Sequence, residues 1–232
     1  MSALDVRAYT VGPVQENCYI VRPDARATGA LLVDPGDEPE RLLTAIASLG
    51  VQIEAILVTH CHFDHIGAVA PLAHATGAPV YCPEIERPML ADVMKWVPPT
   101  LPPGFGPFES YEADHTLAGG ERLGLAGLDI EVLFTPGHSP GHLTYALPGA
   151  LLSGDVLFQG SVGRVDLPGG DWATLERSIE GLLTAYAPET VVYPGHMAVT
   201  TLGRERDTNP FLSELRRRLP RAAAADAAPA TS

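Results

Sequence analysis

The stretch Thr59-His60-Cys61-His62-Phe63-Asp64-His65 decides how this chain is read. Three imidazoles and a carboxylate fall within residues 60–65. They follow Ala55–Thr59, an apolar run of the buried-strand type, so they occupy the turn that leaves the core. Imidazole nitrogen and carboxylate oxygen are the usual protein ligands for zinc, and they also suit iron and manganese. On such a turn alternate side chains face two centres: His60 and His62 one, Asp64 and His65 another. Four ligand-type residues at this spacing set the turn apart from a polar loop of separately hydrogen-bonded histidines.

Three more ligand candidates end apolar runs in the same way. His138 follows Ile130–Phe134, Asp155 follows Leu151-Leu152, and His196 follows Val191-Val192. Each is preceded by a glycine (Gly137, Gly154, Gly195) that permits close backbone approach. Asp34, in Leu32-Val33-Asp34-Pro35-Gly36, also ends a strand. Its carboxylate is placed to hold the far nitrogen of a ligating histidine, with a turn-capping Asx role as the alternative. Cys61 alternates away from the ligands and reads as a buried small hydrophobe. His142 reads as hydrogen-bonded structural support.

The periodicity around these sites predicts an α/β chain. Strands are expected at Val6–Val11, Cys18–Val21, Leu31–Val33, Ala55–Thr59, Ala78–Tyr81, Arg122–Leu125, Leu128–Phe134, Leu143–Leu147, Ala150–Ser153 and Thr190–Tyr193. Helices are expected at Glu38–Leu49, Ile66–Ala75, Glu84–Lys95, Trp172–Tyr186 and Gly203–Leu219. Two sets of strands, each followed by helices, point to two packed sheets with helices outside. Pro98–Ser110 is too rich in proline and glycine for a regular element, and reads either as a surface crossover or as a lid beside a pocket. Residues 1–219 are expected to form one domain, followed by an Ala-rich tail at 220–232 with too few large apolar side chains to fold.

Lys+Arg 15 against Asp+Glu 28 gives a net charge of −13, which opposes nucleic acid and anionic membrane surfaces as partners. Three widely spaced cysteines fit a reducing compartment better than a disulfide framework. No basic segment with an apolar run opens the chain, and no run reaches transmembrane length. A cytoplasmic protein is the expectation.

His60-x-His62-x-Asp64-His65, followed by His138, Asp155 and His196, resembles the metallo-β-lactamase fold superfamily over roughly residues 6–212. The resemblance implies a four-layer αββα sandwich with a metal site at the edge of its two sheets. It implies that His60, His62 and His138 hold one divalent ion, that Asp64, His65 and His196 hold a second, and that Asp155 bridges them. Zinc is the expected metal; iron and manganese suit the same ligands. Ser153–Phe158, Gly163-Arg164-Val165-Asp166, Thr201-Leu202-Gly203 and Asn209-Pro210-Phe211-Leu212 are similar to the hydroxyacylglutathione hydrolases (glyoxalase II), most of all to their small, single-domain YcbL-type members. Full-length members add a helical domain that helps to hold glutathione, whereas few residues follow His196 here. Aspartate rather than cysteine at the bridging position sets the chain apart from the binuclear β-lactamases.

The activity implied is hydrolysis of a small-molecule thioester such as S-(2-hydroxyacyl)glutathione. Water shared by two ions becomes hydroxide near neutrality and attacks the carbonyl, and a metal stabilises the oxyanion. Asp64 and Asp155 are the catalytic carboxylates in this reading. Arg164 matches a cationic position that binds the glycyl carboxylate of glutathione, a task suited to a guanidinium fork; a structural salt bridge is its other reading. Asp166 either supports a ligand from outside or pairs with Arg164. Related persulfide dioxygenases keep similar histidines and bind one iron through the equivalents of His60, His138 and Asp155. Motif text therefore leaves hydrolase and dioxygenase both open, with a lactonase as a third reading. The complete ligand set argues against a non-catalytic scaffold.

Overall fold

The computed structural model describes residues 4–97 and 106–219. The Ala-rich stretch 220–232 and residues 98–105 of the proline-rich segment lie outside the described residues. The chain opens with an antiparallel run of β1 (Asp5–Val11), β2 (Glu16–Arg22) and β3 (Gly29–Val33). Helix α1 (Pro39–Leu49) crosses over to β4 (Gln52–Leu57), which lies parallel to β3. Helices α2 (Phe63–Ile66) and α3 (Val69–Thr76) lead to β5 (Val80–Pro83). A 3-10 turn at Glu84–Glu86, α4 (Arg87–Ala91) and α5 (Val93–Trp96) precede β6 (His115–Leu117). Strands β1 to β6 form one sheet in sequence order.

The second half builds another sheet. It comprises β7 (Arg122–Leu125), β8 (Leu128–Phe134), β9 (Leu143–Leu147) and β10 (Ala150–Gly154). A small hairpin of β11 (Leu157–Phe158) and β12 (Ser161–Val162) comes next, then α6 (Trp172–Ala185), β13 (Val191–Pro194) and β14 (Thr200–Thr201). The strand order is β14-β13-β10-β9-β8-β7. Helix α7 (Leu202–Thr208), a 3-10 turn at Pro210–Leu212 and α8 (Ser213–Arg218) follow.

Successive strand residues point to opposite faces, and the packing follows that alternation. Cys18 and Ile20 of β2 join Leu42 and Ile46 of α1 and Leu72 of α3 in one cluster. Their neighbours Tyr19 and Val21 pack with Ile130, Tyr145 and Leu152 of the second sheet. On that sheet Leu151 turns the other way, against Leu175 and Ile179 of α6. The result is two sheets face to face with helices on both outer surfaces, the αββα sandwich. Helix α6 forms where its apolar spacing predicts, and the Asp171 side chain caps it by accepting from the Thr174 N–H.

Three expected elements differ. The helix over Glu84–Lys95 is broken into the 3-10 turn, α4 and α5, with Pro88 in the first turn of α4 and Asp92 in a non-helical conformation (φ −147°, ψ 63°). The helix at Ile66–Ala75 is two pieces, the first beginning at Phe63 inside the ligand turn. The helix over Gly203–Leu219 is interrupted at Asn209-Pro210, where Asn209 is extended and its side chain accepts from the Phe211 N–H. Strands β6, β11, β12 and β14 are too short to carry a legible period.

Leu31 has no exposed surface and lies between the sheets. Leu31→Ala is expected to cost about 2–5 kcal/mol of stability, measured by chemical denaturation of metal-free protein.

Candidate metal centre

The centre lies at the edge where several strands end. Strand β10 is parallel to β13, and β9 lies antiparallel between β8 and β10. Therefore β8, β10 and β13 all run the same way, and the residues after them, His138, Asp155 and His196, emerge together. Across the sandwich, the turn after β4 supplies His60, His62, Asp64 and His65.

His60 Nε2, His62 Nδ1 and His138 Nε2 form a triangle with edges of 3.1, 3.2 and 2.8 Å. Nitrogens about 2.0–2.1 Å from one tetrahedral ion sit roughly 3.3 Å apart, so this triangle has the size of one face of a metal site. A second group holds Asp64, His65 and His196. Here His196 Nε2 is 3.3 Å from Asp64 Oδ2, and His65 Nε2 is 3.9 Å from it. Asp155 stands between the groups. Its Oδ2 is 3.5 Å from His138 Nε2 and 3.6 Å from His196 Nε2; its Oδ1 is 3.4 Å from His65 Nε2. All seven sequence-predicted ligand residues are thus gathered in one place.

The facing atoms are lone-pair donors. Among the described residues, His65 Nε2 and Asp155 Oδ1 are buried with no hydrogen-bond partner. An orphaned buried polar atom costs about 1–3 kcal/mol, and a divalent cation shared by these atoms removes that cost. The residues present fit such ions.

Outer partners orient four of the rings. The Nδ1–H of His138 donates to the Arg164 carbonyl at 2.7 Å, and that of His196 to the Gln15 carbonyl at 3.3 Å. His65 Nδ1–H donates to Asp34 Oδ2 at 3.1 Å. Thr59 Oγ1–H also donates to Asp34 Oδ2, at 2.6 Å, so this hydroxyl is left to accept from His60 Nδ1–H at 3.1 Å. In the neutral tautomer that each of these bonds selects, Nε2 is left as a lone pair aimed at the centre. Asp34 therefore holds a ring of each group, and its Oδ1 accepts from the Thr59 N–H at 2.7 Å. Fully buried His142 accepts from the Asp155 N–H at 3.0 Å and donates to Thr135 Oγ1, which fixes the backbone at Asp155. Gly195 has no room for a side chain: a Cβ would lie 2.3 Å from Asp155 Oδ1 and 2.6 Å from the His65 ring.

The electrostatics differ between the groups. Burial, reinforced by neighbouring imidazoles, pushes His60 far down and His62 down to about 4. Burial alone would lower His65, but Asp155 and Asp64 outweigh it and push its pKa well up. Burial is likewise outweighed at His196, where the hydrogen bond to Asp64 raises the pKa. Burial would raise the two carboxylates, yet His65 holds Asp64 below its ordinary value and Asp155 far below it.

The remaining sequence candidates lie outside the cluster. Arg164 and Asp166 are surface residues joined by a fork of 2.6 and 2.7 Å. Of the two readings of Asp166, the structure shows the pair with Arg164: the carboxylate is engaged by that guanidinium and supports no ligand ring. Arg164 nonetheless reaches the centre through its backbone carbonyl. Cys61 is buried, its Sγ 3.4 Å from that of Cys82. At the described end of the proline-rich segment, Phe108 packs on Phe63 of the ligand turn (centroids 6.0 Å apart).

Sequence reasoning missed Glu16 and Asn17. Glu16 is fully buried 3.7 Å behind His65 Nδ1, and burial pushes its pKa well up. Asn17 donates to the carbonyls of Pro194 and Met197, clamping the His196 turn. Their only signal was two polar residues opening a strand otherwise wholly apolar up to Arg22. Asp34→Asn turns an amide donor toward groups that are themselves donors. It is expected to lower zinc affinity about 10- to 100-fold, read by titration against a chelator.

Residues 11–196 match the family model of the metallo-β-lactamase superfamily. The hydroxyacylglutathione hydrolase GloC of Haemophilus influenzae is 33% identical over 90% of this chain and 99% of its own. Among solved structures, the BLEG-1 B3 metallo-β-lactamase is 38% identical with a TM-score of 0.83, covering 90% of this chain and all of that one. TTHA1623 in a di-iron-bound form is 45% identical with a TM-score of 0.71, covering 89% of this chain and all of that one. With the αββα sandwich and the gathered histidines and aspartates, these likenesses establish that the chain belongs to the metallo-β-lactamase superfamily.

Proposed function

We propose that this metallo-hydrolase is a thioesterase that cleaves S-(2-hydroxyacyl)glutathione or a closely related thiol ester, with His60, His62 and His138 holding one ion, Asp64, His65 and His196 a second, and Asp155 both. The observation that carries the reading is the position of Asp155, one oxygen facing His65 and the other facing His138 and His196. The likeness to GloC along nearly the whole of both chains supports the thioester as substrate. Two divalent ions bound there would lower the pKa of a shared water toward neutrality and polarise a carbonyl.

The chain's own residues supply the rest. His60, His65, His138 and Asp155 are buried and form the floor. His196 and Asp64 keep 21% and 16% of their side chains exposed, so the substrate carbonyl approaches from their side. Asp64 is the more accessible of the two carboxylates, and against burial His65 holds its pKa below the ordinary value, which keeps it ionised as a ligand. Zinc and iron both suit this donor set. Arg164 meets the glutathione carboxylate by exchanging its fork with Asp166 for one with the substrate.

The experiment is hydrolysis of S-D-lactoylglutathione, followed by thiol release, with zinc and iron loadings compared. Asp155→Ala is expected to lower kcat/KM by more than about a hundredfold, beyond the usual cost of losing an outer-sphere partner. Arg164→Ala is expected to raise KM with little change in kcat. An inactive, correctly folded, metal-loaded protein overturns the reading. Oxygen uptake with glutathione persulfide would then identify a dioxygenase. Opening of a chromogenic cephalosporin would identify the lactamase activity named for BLEG-1.

The raised pKa values of His65 and His196 mean that protons compete for their nitrogens at higher pH than for His62. As pH falls below neutrality, the ion on the Asp64 side is expected to leave first. Metal content after dialysis at stepped pH should fall from two ions to one before the three-histidine ion is lost. Simultaneous loss of both ions counts against the two-group assignment.

A further inference from the structure

Glu86 is 1% exposed and lies far from the seven ligand residues in the sequence. It ends the 3-10 turn after β5. Its Oε2 accepts from the Cys61 N–H at 2.6 Å, and its Oε1 accepts from the Gly141 N–H at 2.8 Å. Cys61 sits between His60 and His62. Gly141 sits between His138 and His142. One carboxylate thus ties the turn that carries two imidazoles of the three-histidine triangle to the loop that carries the third.

The roots of these two segments are already joined, because the Leu143 N–H donates to the Thr59 carbonyl at 2.8 Å. That bond fixes where the segments begin. It does not fix how far apart their tips stand, and the tips carry the ring nitrogens. Glu86 spans that second distance. Gly141 is pressed against it, since a Cβ there would lie 2.7 Å from Glu86 Cγ. Only a carboxylate offers two acceptor oxygens diverging to two separate N–H groups; an amide of the same shape turns a donor toward one of them. Among the described residues, the hydrogen bonds of the Glu86 carboxylate go to Cys61 and Gly141, and none goes to Asp64, His65, His196 or Asp155.

We infer that Glu86 is the positioning residue of the three-histidine site: it sets the separation of the His60–His62 turn from the His138 loop, and so the affinity and geometry of that half of the centre alone. The inference rests on the reading of His60, His62 and His138 as metal ligands. It distinguishes Glu86 from Asp34, which holds a ring in each half.

The test is titration of metal-free full-length chain with cobalt(II), followed by its visible absorption bands, for wild type, Glu86→Gln and His138→Ala. Wild type should bind two equivalents, and His138→Ala should lose one. If His138→Ala binds as wild type does, the underlying ligand reading fails. If it loses one equivalent, Glu86→Gln is expected to bind cobalt about 10- to 100-fold more weakly at that same site. The absorption of that site should shift, while the affinity of the other site stays unchanged. Glu86→Asp keeps two acceptor oxygens on a shorter arm and should fall between wild type and Glu86→Gln. Wild-type affinity and spectrum in Glu86→Gln would overturn the inference. So would equal weakening of both sites, which a merely structural residue would produce. Should neither variant fold, Glu86 is a folding residue and the inference also falls.

Discussion

Asp34 accepts from the Thr59 backbone, from the Thr59 hydroxyl and from His65, and through that hydroxyl it also holds His60. A buried carboxylate must be satisfied or it destabilises the fold. Here the groups that satisfy it are the ones whose orientation the centre needs. The arrangement depends on β3 and β4 being parallel neighbours, since parallel strands end at the same edge. Asp34 itself adopts φ +48°, a left-handed conformation that aspartate tolerates better than most residues.

The same logic extends across the sandwich. Sheet direction brings His138, Asp155 and His196 out at one edge, and side-chain-to-backbone bonds then hold each ending in place. His142 secures the Asp155 backbone, Asn17 secures the His196 turn, and Glu86 ties the His138 loop to the turn after β4. These supports are buried polar groups with satisfied partners, so they hold the loops firmly where loops alone would drift. Glycines such as Gly195 let backbone and ligands meet without an intervening side chain.

Charge is divided within the centre. In the triangle of His60, His62 and His138, burial and neighbouring imidazoles lower the proton affinity of His60 and His62. The other group is dominated by Asp64 and Asp155, which raise the proton affinity of His65 and His196. The two groups of side chains therefore differ in how readily their imidazoles take up protons.

Much of this was legible before the fold was known. Local spacing marked the His60–His65 turn, because its ligands are neighbours in the chain. Apolar runs followed by glycine marked the approach to His138, Asp155 and His196. Period-2 and period-3.6 patterns located the longer strands and helices. Where pattern was short or interrupted, as in β6, β14 and the broken helix after Glu84, the sequence carried no decisive signal. The roles of Glu16, Asn17 and Glu86 were not legible, since a buried carboxylate or amide looks like a surface one until its partners are known. Asp166 shows the converse: the sequence allowed it two roles, and only its distance from Arg164 chose between them. The chain by itself determined which atoms are available to ligate, because that is a property of residue type. Tertiary structure alone decided which of them meet and what holds them there, because strand direction and loop-to-loop hydrogen bonds join residues that no local pattern connects.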